Sequence, residues 1–203
     1  MKIVCIGRNY VAHAKELGNE VPGDPVVFIK PETALLPEGA SFAIPSFTKD
    51  LHYECELVLR IAKRARQINK EEAASVYDAI TAGIDFTARD LQQELKGKGL
   101  PWEKAKAFDN AAVIGRWIEA SHFPDKKNIH FSMSKNGNPV QLGHTENMIF
   151  DFDTILSHVS NYFTLEPGDL VFTGTPAGVG PVQPGDLFEG YVEKETVFKL
   201  SIQ

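Results

Sequence analysis

The apolar positions change period part-way along the chain. Residues 3–6 are a short unbroken apolar run, the pattern of a buried strand, and Gly7-Arg8-Asn9 turns out of it. Residues 10–17 hold the helix formers Ala12, Ala14, Lys15 and Glu16, and Gly18-Asn19 closes them, so strand, turn and short helix are expected. Over residues 21–45 proline and glycine interrupt every apolar piece, which predicts loops and short strands, residues 26–29 among them. Residues 53–61 form the best strand of the first half, with helices expected over 71–79 and 85–96.

Beyond Ala111 the period falls toward two. Residues 129–134, 141–142, 169–173 and 191–202 read as strands. Two similar units, Glu166-Pro167-Gly168-Asp169-Leu170 and Gln183-Pro184-Gly185-Asp186-Leu187, each precede an apolar strand. In both, Pro presets φ and Gly supplies a positive φ, so this is repeated turn chemistry and not a repeated domain. No low-complexity linker divides the chain, and a single β-rich α+β domain over residues 1–203 is expected.

Composition narrows the partners. The chain has 203 residues, 43% of them hydrophobic, enough for one large core. A formal net charge of -6 leaves no global positive field for nucleic acid or anionic lipid. An anionic substrate must therefore be caught by a few local cations and a metal. Cys5 and Cys55 are too few for a secreted disulfide scaffold and read as core thiols in a reducing compartment. The first apolar run is too short for a signal segment, Arg8 interrupts it, and no window approaches the roughly 18 apolar residues of a membrane span. A cytoplasmic protein is expected.

Candidate chemistry begins at His52-Tyr53-Glu54-Cys55-Glu56. On a strand, alternate side chains share a face, so Glu54 and Glu56 point the same way and repel unless a cation lies between them. Such oxygen ligands select Mg²⁺, Mn²⁺ or Ca²⁺ over zinc. Taken alone, the motif equally describes a solvent-facing edge strand. His52 shares the face, which leaves a His/Glu/Glu site open, ranked below an all-carboxylate one. Asp85 offers a third carboxylate or a helix N-cap. Arg89 and Gln92, three apart, share a helical face that either lines a site or meets solvent. His13 and Glu16 are also three apart, and a carboxylate beside an imidazole raises its basicity and fixes its orientation.

The motifs together run Gly7-Arg8-Asn9-Tyr10-x-x-His13-x-x-Glu16, Phe28-Ile29-Lys30-Pro31, Glu54-x-Glu56, Asp85-x-x-x-Arg89-Asp90-x-Gln92, Trp102-x-x-Ala105-Lys106-x-Phe108-Asp109 and Thr173-Gly174-Thr175-Pro176-x-Gly178-Val179-Gly180. In order and spacing they resemble the fumarylacetoacetate hydrolase family, most of all its short single-domain branch of acylpyruvate hydrolases and oxaloacetate decarboxylases. The resemblance implies a β-rich fold of that family's C-terminal-domain type, a mixed β-roll or sandwich with a few short helices. It also implies Mg²⁺ or Mn²⁺ on Glu54, Glu56 and Asp85, a water-activating dyad of His13 and Glu16, and Arg89, Gln92, Lys106 and Thr175 around the substrate oxyanions. By the same likeness the substrate is a small 2-oxo acid and the assembly a homodimer.

The residues add detail to this likeness. Two aromatic neighbours would bury the stem of Lys106 and hold its ammonium near developing negative charge, with Lys104 facing solvent. Residues 173–180 lack the Gly-Lys-Ser/Thr ending of a nucleotide loop. In the family this loop and the segment around His13 close on the ligand, so residues 18–23 are expected to belong to a cover. The expected reaction is cleavage of an acylpyruvate to pyruvate and a carboxylate, with oxaloacetate decarboxylation through the same enolate. Alternatives are isomerisation or decarboxylation of unsaturated 2-oxo dioates, and a non-catalytic 2-oxo acid binder, which would not need the His13 and Glu16 pair.

Overall fold

The chain opens with β1 (Lys2–Gly7) and the short helix α1 (Val11–Glu16), followed by β2 (Val26–Pro31). Gly18, at φ 64°, donates its N–H to Lys15 O just beyond the helix, as the glycine stop predicts. The computed structural model describes residues 1–16, 18 and 20–203. Leu17 in the expected helix, and Asn19 in its expected stop and in the expected cover, lie outside the described residues.

The strand expected over residues 53–61 is split at Glu54 into β3 (Leu51–Tyr53) and β4 (Cys55–Ile61). The Glu54 carbonyl accepts the Asp85 N–H at 2.8 Å there, and the chain passes from a small sheet into the large one. The helix expected over 71–79 is only α2 (Lys70–Ala73), opened by a capping box in which Asn69 and Glu72 bond each other's backbone N–H. Residues 77–79 belong instead to β5 (Tyr77–Asp85), paired with β4 on one side. Helix propensity loses here to burial: Ile80 and Ile84 are fully enclosed, each contributing about 1.5–3 kcal/mol.

Asp85 is thus the last residue of a strand and not the start of a helix. The helix begins after β6 (Thr87–Ala88), as α3 (Arg89–Gly97), and its N-cap, Ala88, supplies no side-chain bond. Next come α4 (Glu103–Lys106), β7 (Ala112–Ile114), β8 (Ile118–Glu119), β9 (His130–Lys135), β10 (Asn138–His144) and α5 (Phe152–Ser160). Helix α5 was not expected, although Phe152, Ile155, Leu156 and Val159 are buried at helical spacing and Asp151 caps Thr154 N. The chain ends with β11 (Leu170–Phe172), β12 (Gly180–Pro181), β13 (Leu187–Val192) and β14 (Glu195–Ser201), the last two being a hairpin where one strand over 191–202 was expected.

The large sheet runs β2-β1-β11-β4-β5-β7, with β8 also on β5; its β1 and β11 are parallel and its other pairs antiparallel. An antiparallel sheet β10-β9-β13-β14 and a small sheet β12-β3-β6 complete an α+β fold with curled sheets and few helices. The main core takes Val4, Leu57, Leu59, Ile80 and Ile84 from the large sheet with Phe131, Met133 and Phe188 from the second. The opposite face of the large sheet carries a smaller cluster of Ile3, Cys5, Val58 and Phe172. Glu56 is two residues from Val58 and lies opposite Gly83, so Glu56 and Asp85 share that second face at its end.

The two similar turns do the same work twice. Gly168 at φ 90° and Gly185 at φ 87° turn the chain. The carboxylate behind each accepts the backbone N–H three residues back, Asp169 from Glu166 at 2.8 Å and Asp186 from Gln183 at 2.7 Å. Each carboxylate also pairs with a lysine, Lys2 for Asp169 and Lys135 for Asp186. No helix among the described residues is long and apolar enough to cross a membrane.

Candidate active site

Glu54, Glu56 and Asp85 come from the β3–β4 break, β4 and the end of β5, and one carboxylate oxygen of each lies within 4.8 Å of the others. All three are buried, at 5%, 2% and 0% exposure. Burying three like charges together is strongly unfavourable without compensation. Three cations supply it. The Lys106 ammonium donates to Glu54 Oε2 at 2.8 Å, Asp85 Oδ2 at 2.7 Å and Thr87 Oγ1 at 2.6 Å. Arg89 donates to Glu54 Oε1 at 2.5 Å, and the Lys30 ammonium lies 2.7 Å from Asp85 Oδ1.

The charges respond unequally. Burial would raise the Glu54 pKa, but Lys106 and Arg89 outweigh it and hold the group well below the usual carboxylate range, with His13 adding in the same direction. Glu56 has no such escort; burial, then Asp85 and Glu54, push it well above that range, against one hydrogen bond from Gly174 N at 2.7 Å. Burial also works against the charge of Lys106, yet Asp85 and Glu54 keep its pKa above the ordinary value. Lys106 is a fixed cation and not a base.

A divalent ion fits these residues. Asp85 Oδ1 accepts no aligned hydrogen bond despite its burial, and Glu56 is the carboxylate that most lacks a nearby positive charge. The donor set is all oxygen, suited to a hard ion. His52, the alternative ligand, turns to Asp50 Oδ1 at 2.9 Å and is not in the carboxylate group.

His13 is buried on α1, with Nδ1 3.3 Å from Glu16 Oε2. Glu16 also accepts the Gly178 N–H at 3.1 Å, which ties α1 to the loop of residues 173–180. Asn9 secures the same junction from inside, donating to Phe150 O and Thr173 O and accepting Phe150 N–H. A Cβ on Gly174, at φ 102°, would stand 2.5 Å from Asn9 Cβ, so only glycine allows this approach.

Arg89 NH1 donates to Gln92 Oε1 at 2.7 Å, while the buried Arg89 Nε has no hydrogen-bond partner. Both residues line the cavity over the carboxylates, with Phe28, Trp102 and Lys106. The Phe28 ring lies 5.2 Å from the Lys106 ammonium, and Lys104 is exposed, as expected. Thr175 is buried elsewhere than in the cavity lining; its hydroxyl donates to Cys55 O and accepts from Gln141 Nε2, both at 2.8 Å. Its hydrogen is thus engaged within the protein.

Two residues went without a role in the sequence. Lys30 was part of a motif only, yet its ammonium, 0% exposed, also donates to the carbonyls of Lys106 and Ala111. A lysine inside the apolar run Val26-Val27-Phe28-Ile29 was its signal. Gln141 accepts Cys55 N–H at 2.7 Å and donates to Thr175 Oγ1 and Pro176 O, joining β10, β4 and the loop. No local pattern marks such a long-range clamp.

Known proteins match this arrangement over the full chain. A family model for the fumarylacetoacetate hydrolase C-terminal domain matches residues 2–200. Oxaloacetate tautomerase YcgM of Escherichia coli is 45% identical over 195 residues, 94% of this chain and 89% of that one. The mitochondrial oxaloacetate tautomerase FAHD1 of Bos taurus is 39% identical over 201 residues, 99% of this chain and 91% of that one. Among solved structures, fumarylpyruvate hydrolase from Pseudomonas aeruginosa in complex with Mn²⁺ and pyruvate superposes with a TM-score of 0.93 at 36% identity, covering 100% of this chain and 89% of that one. The chain belongs to the fumarylacetoacetate hydrolase family and is an enzyme of it.

Proposed function

We propose that this chain is a divalent-metal-dependent enzyme that forms and discharges the enolate of a small 2-oxo acid, with oxaloacetate as its first substrate. The observation that carries the reading is the buried meeting of Glu54, Glu56 and Asp85 around the Lys106 ammonium. An ion such as Mg²⁺ or Mn²⁺ on those carboxylates would polarise the 2-oxo group and offset enolate charge. Mn²⁺ in the related Pseudomonas enzyme supports the ion's class. Lys106, kept charged, would stabilise the oxyanion as it forms, and Arg89, with an unpartnered Nε, would hold the substrate carboxylate.

In tautomerisation the C3–H bond of oxaloacetate breaks and an O–H bond forms on the 2-oxo oxygen. His13, oriented by Glu16, is the proton carrier. The names of the two relatives support oxaloacetate. A second reading, favoured by the same dyad, is hydrolysis of acylpyruvates: His13 takes a proton from water, water attacks the carbon-4 carbonyl, and the C3–C4 bond breaks to leave the pyruvate enolate. A homodimer in the cytoplasm remains part of the proposal, to be tested by light scattering and cell fractionation.

The test is a panel with and without Mg²⁺. Enol oxaloacetate is followed by its loss of absorbance, and acetylpyruvate and an unsaturated 2-oxo heptadioate by product. Metal-dependent acceleration of the first is expected. If the second alone turns over, hydrolysis takes its place, and if none is accelerated the reading falls.

A further inference from the structure

The cavity over the carboxylates is lined at another part of its wall by two cations that the chemistry above does not use, Arg8 and Lys96. Arg8 sits in the turn after β1 at φ 59°, a left-handed conformation that is uncommon for a residue with a side chain. Strain of that kind is kept where the position matters. Among the described residues Arg8 has no ion-pair partner.

Lys96 follows Arg89 by seven residues and Gln92 by four, so the three stand in a row on one face of α3. At 1.5 Å per residue, Lys96 is about 10 Å along the helix axis from Arg89. Burial, then the charges of Arg8 and Arg89, lower the Lys96 pKa, which places the three cations within electrostatic reach of one another. Gathering like charges beside a cavity is uphill unless an anion comes between them. Glu54 already takes up Arg89. Arg8 and Lys96 have no such acid assigned.

We propose that Arg8 and Lys96 form a second carboxylate subsite, so that this chain favours 2-oxo dicarboxylates whose distal carboxylate lies between them. The proposal rests on the 2-oxo acid reading and adds the group that selects within that class. The head of the ligand meets Arg89 and Gln92, and the row along α3 leads an extended chain from there to Lys96. A carboxylate matches the planar fork of a guanidinium and the point charge of an ammonium at once.

The test compares ligands that share a head and differ in the tail. For turnover these are acetylpyruvate, without a distal carboxylate, and fumarylpyruvate, with one. For binding to the Mn²⁺-loaded protein by calorimetry they are oxalate and 2-oxoglutarate. Lys96→Gln, on an exposed helical position, and Arg8→Gln should each lower the ratio of fumarylpyruvate to acetylpyruvate kcat/KM by about 10-fold or more, mainly through KM. Each should lower the ratio of 2-oxoglutarate to oxalate affinity similarly, with partial rescue in Arg8→Lys. Ratios unchanged in both variants overturn the subsite, as does a wild type that does not distinguish the tails. If nothing is turned over, the 2-oxo acid reaction fails, and the calorimetric ratio alone decides the subsite.

Discussion

Lys30 and Asp85 form an ion pair, 2.7 Å apart, that solvent does not reach. Lys30 comes from β2 at the edge of the large sheet and Asp85 from the end of β5 near its other edge. The pair therefore fixes a carboxylate of the candidate metal site against the carbonyl of Lys106. Removing one member leaves the other as a buried, uncompensated charge. Lys30→Met should cost about 3–5 kcal/mol in urea unfolding. Lys30→Met with Asp85→Asn should lose less than the sum of the single changes. A loss below about 1 kcal/mol in Lys30→Met would mean that the ammonium holds nothing.

Glu56 is the carboxylate with the fewest compensating partners and so the one whose charge a divalent ion would help most. Glu56→Gln should weaken Mn²⁺ binding by at least about 10-fold in calorimetry while the fold, read by circular dichroism, persists. An unchanged affinity would remove Glu56 from the ligand set.

His13 and Glu16 should separate metal capture from proton transfer. His13→Ala is expected to lower turnover by about 100-fold or more and to leave Mn²⁺ affinity nearly intact. Glu16→Gln keeps an acceptor for the Gly178 N–H but not the charge beside the imidazole, so its loss should be smaller. Full activity in His13→Ala would take the dyad out of the reaction.

Asp169 gives the stability a pH dependence. Burial alone would raise its pKa, but Lys2 and the N–H groups of Glu166 and Lys2 outweigh this and depress it. A depressed folded pKa means that the contribution is complete above the unfolded value, about 3.9, and fades as pH falls through the folded one. Asp169→Asn should thus lose about 1–2 kcal/mol at pH 7, and the gap to wild type should close in acid. A gap that persists at pH 2 would show a packing effect instead.

Much of this was legible because its signals are local. The two proline-glycine-aspartate turns, β1 and the shared face of Glu54 and Glu56 follow from dihedral preferences and the two-residue period. The central strand β5 was not, because its sequence Tyr-Asp-Ala-Ile-Thr-Ala-Gly-Ile-Asp has no alternation, and a strand buried on both faces shows none. Gly83 in it has a reason only the sheet reveals: a Cβ there would stand 2.3 Å from Val113 O. Lys30 and Gln141 stayed silent for a like cause, since what each holds lies far away in sequence.

Glu16 addresses both His13 and the Gly178 amide, and one carboxylate serving two masters makes an interlock. The imidazole is armed only while helix and loop are latched, so a reactive enolate would arise only behind a shut door. Stray protonation by bulk water is then prevented by the same contact that starts the reaction.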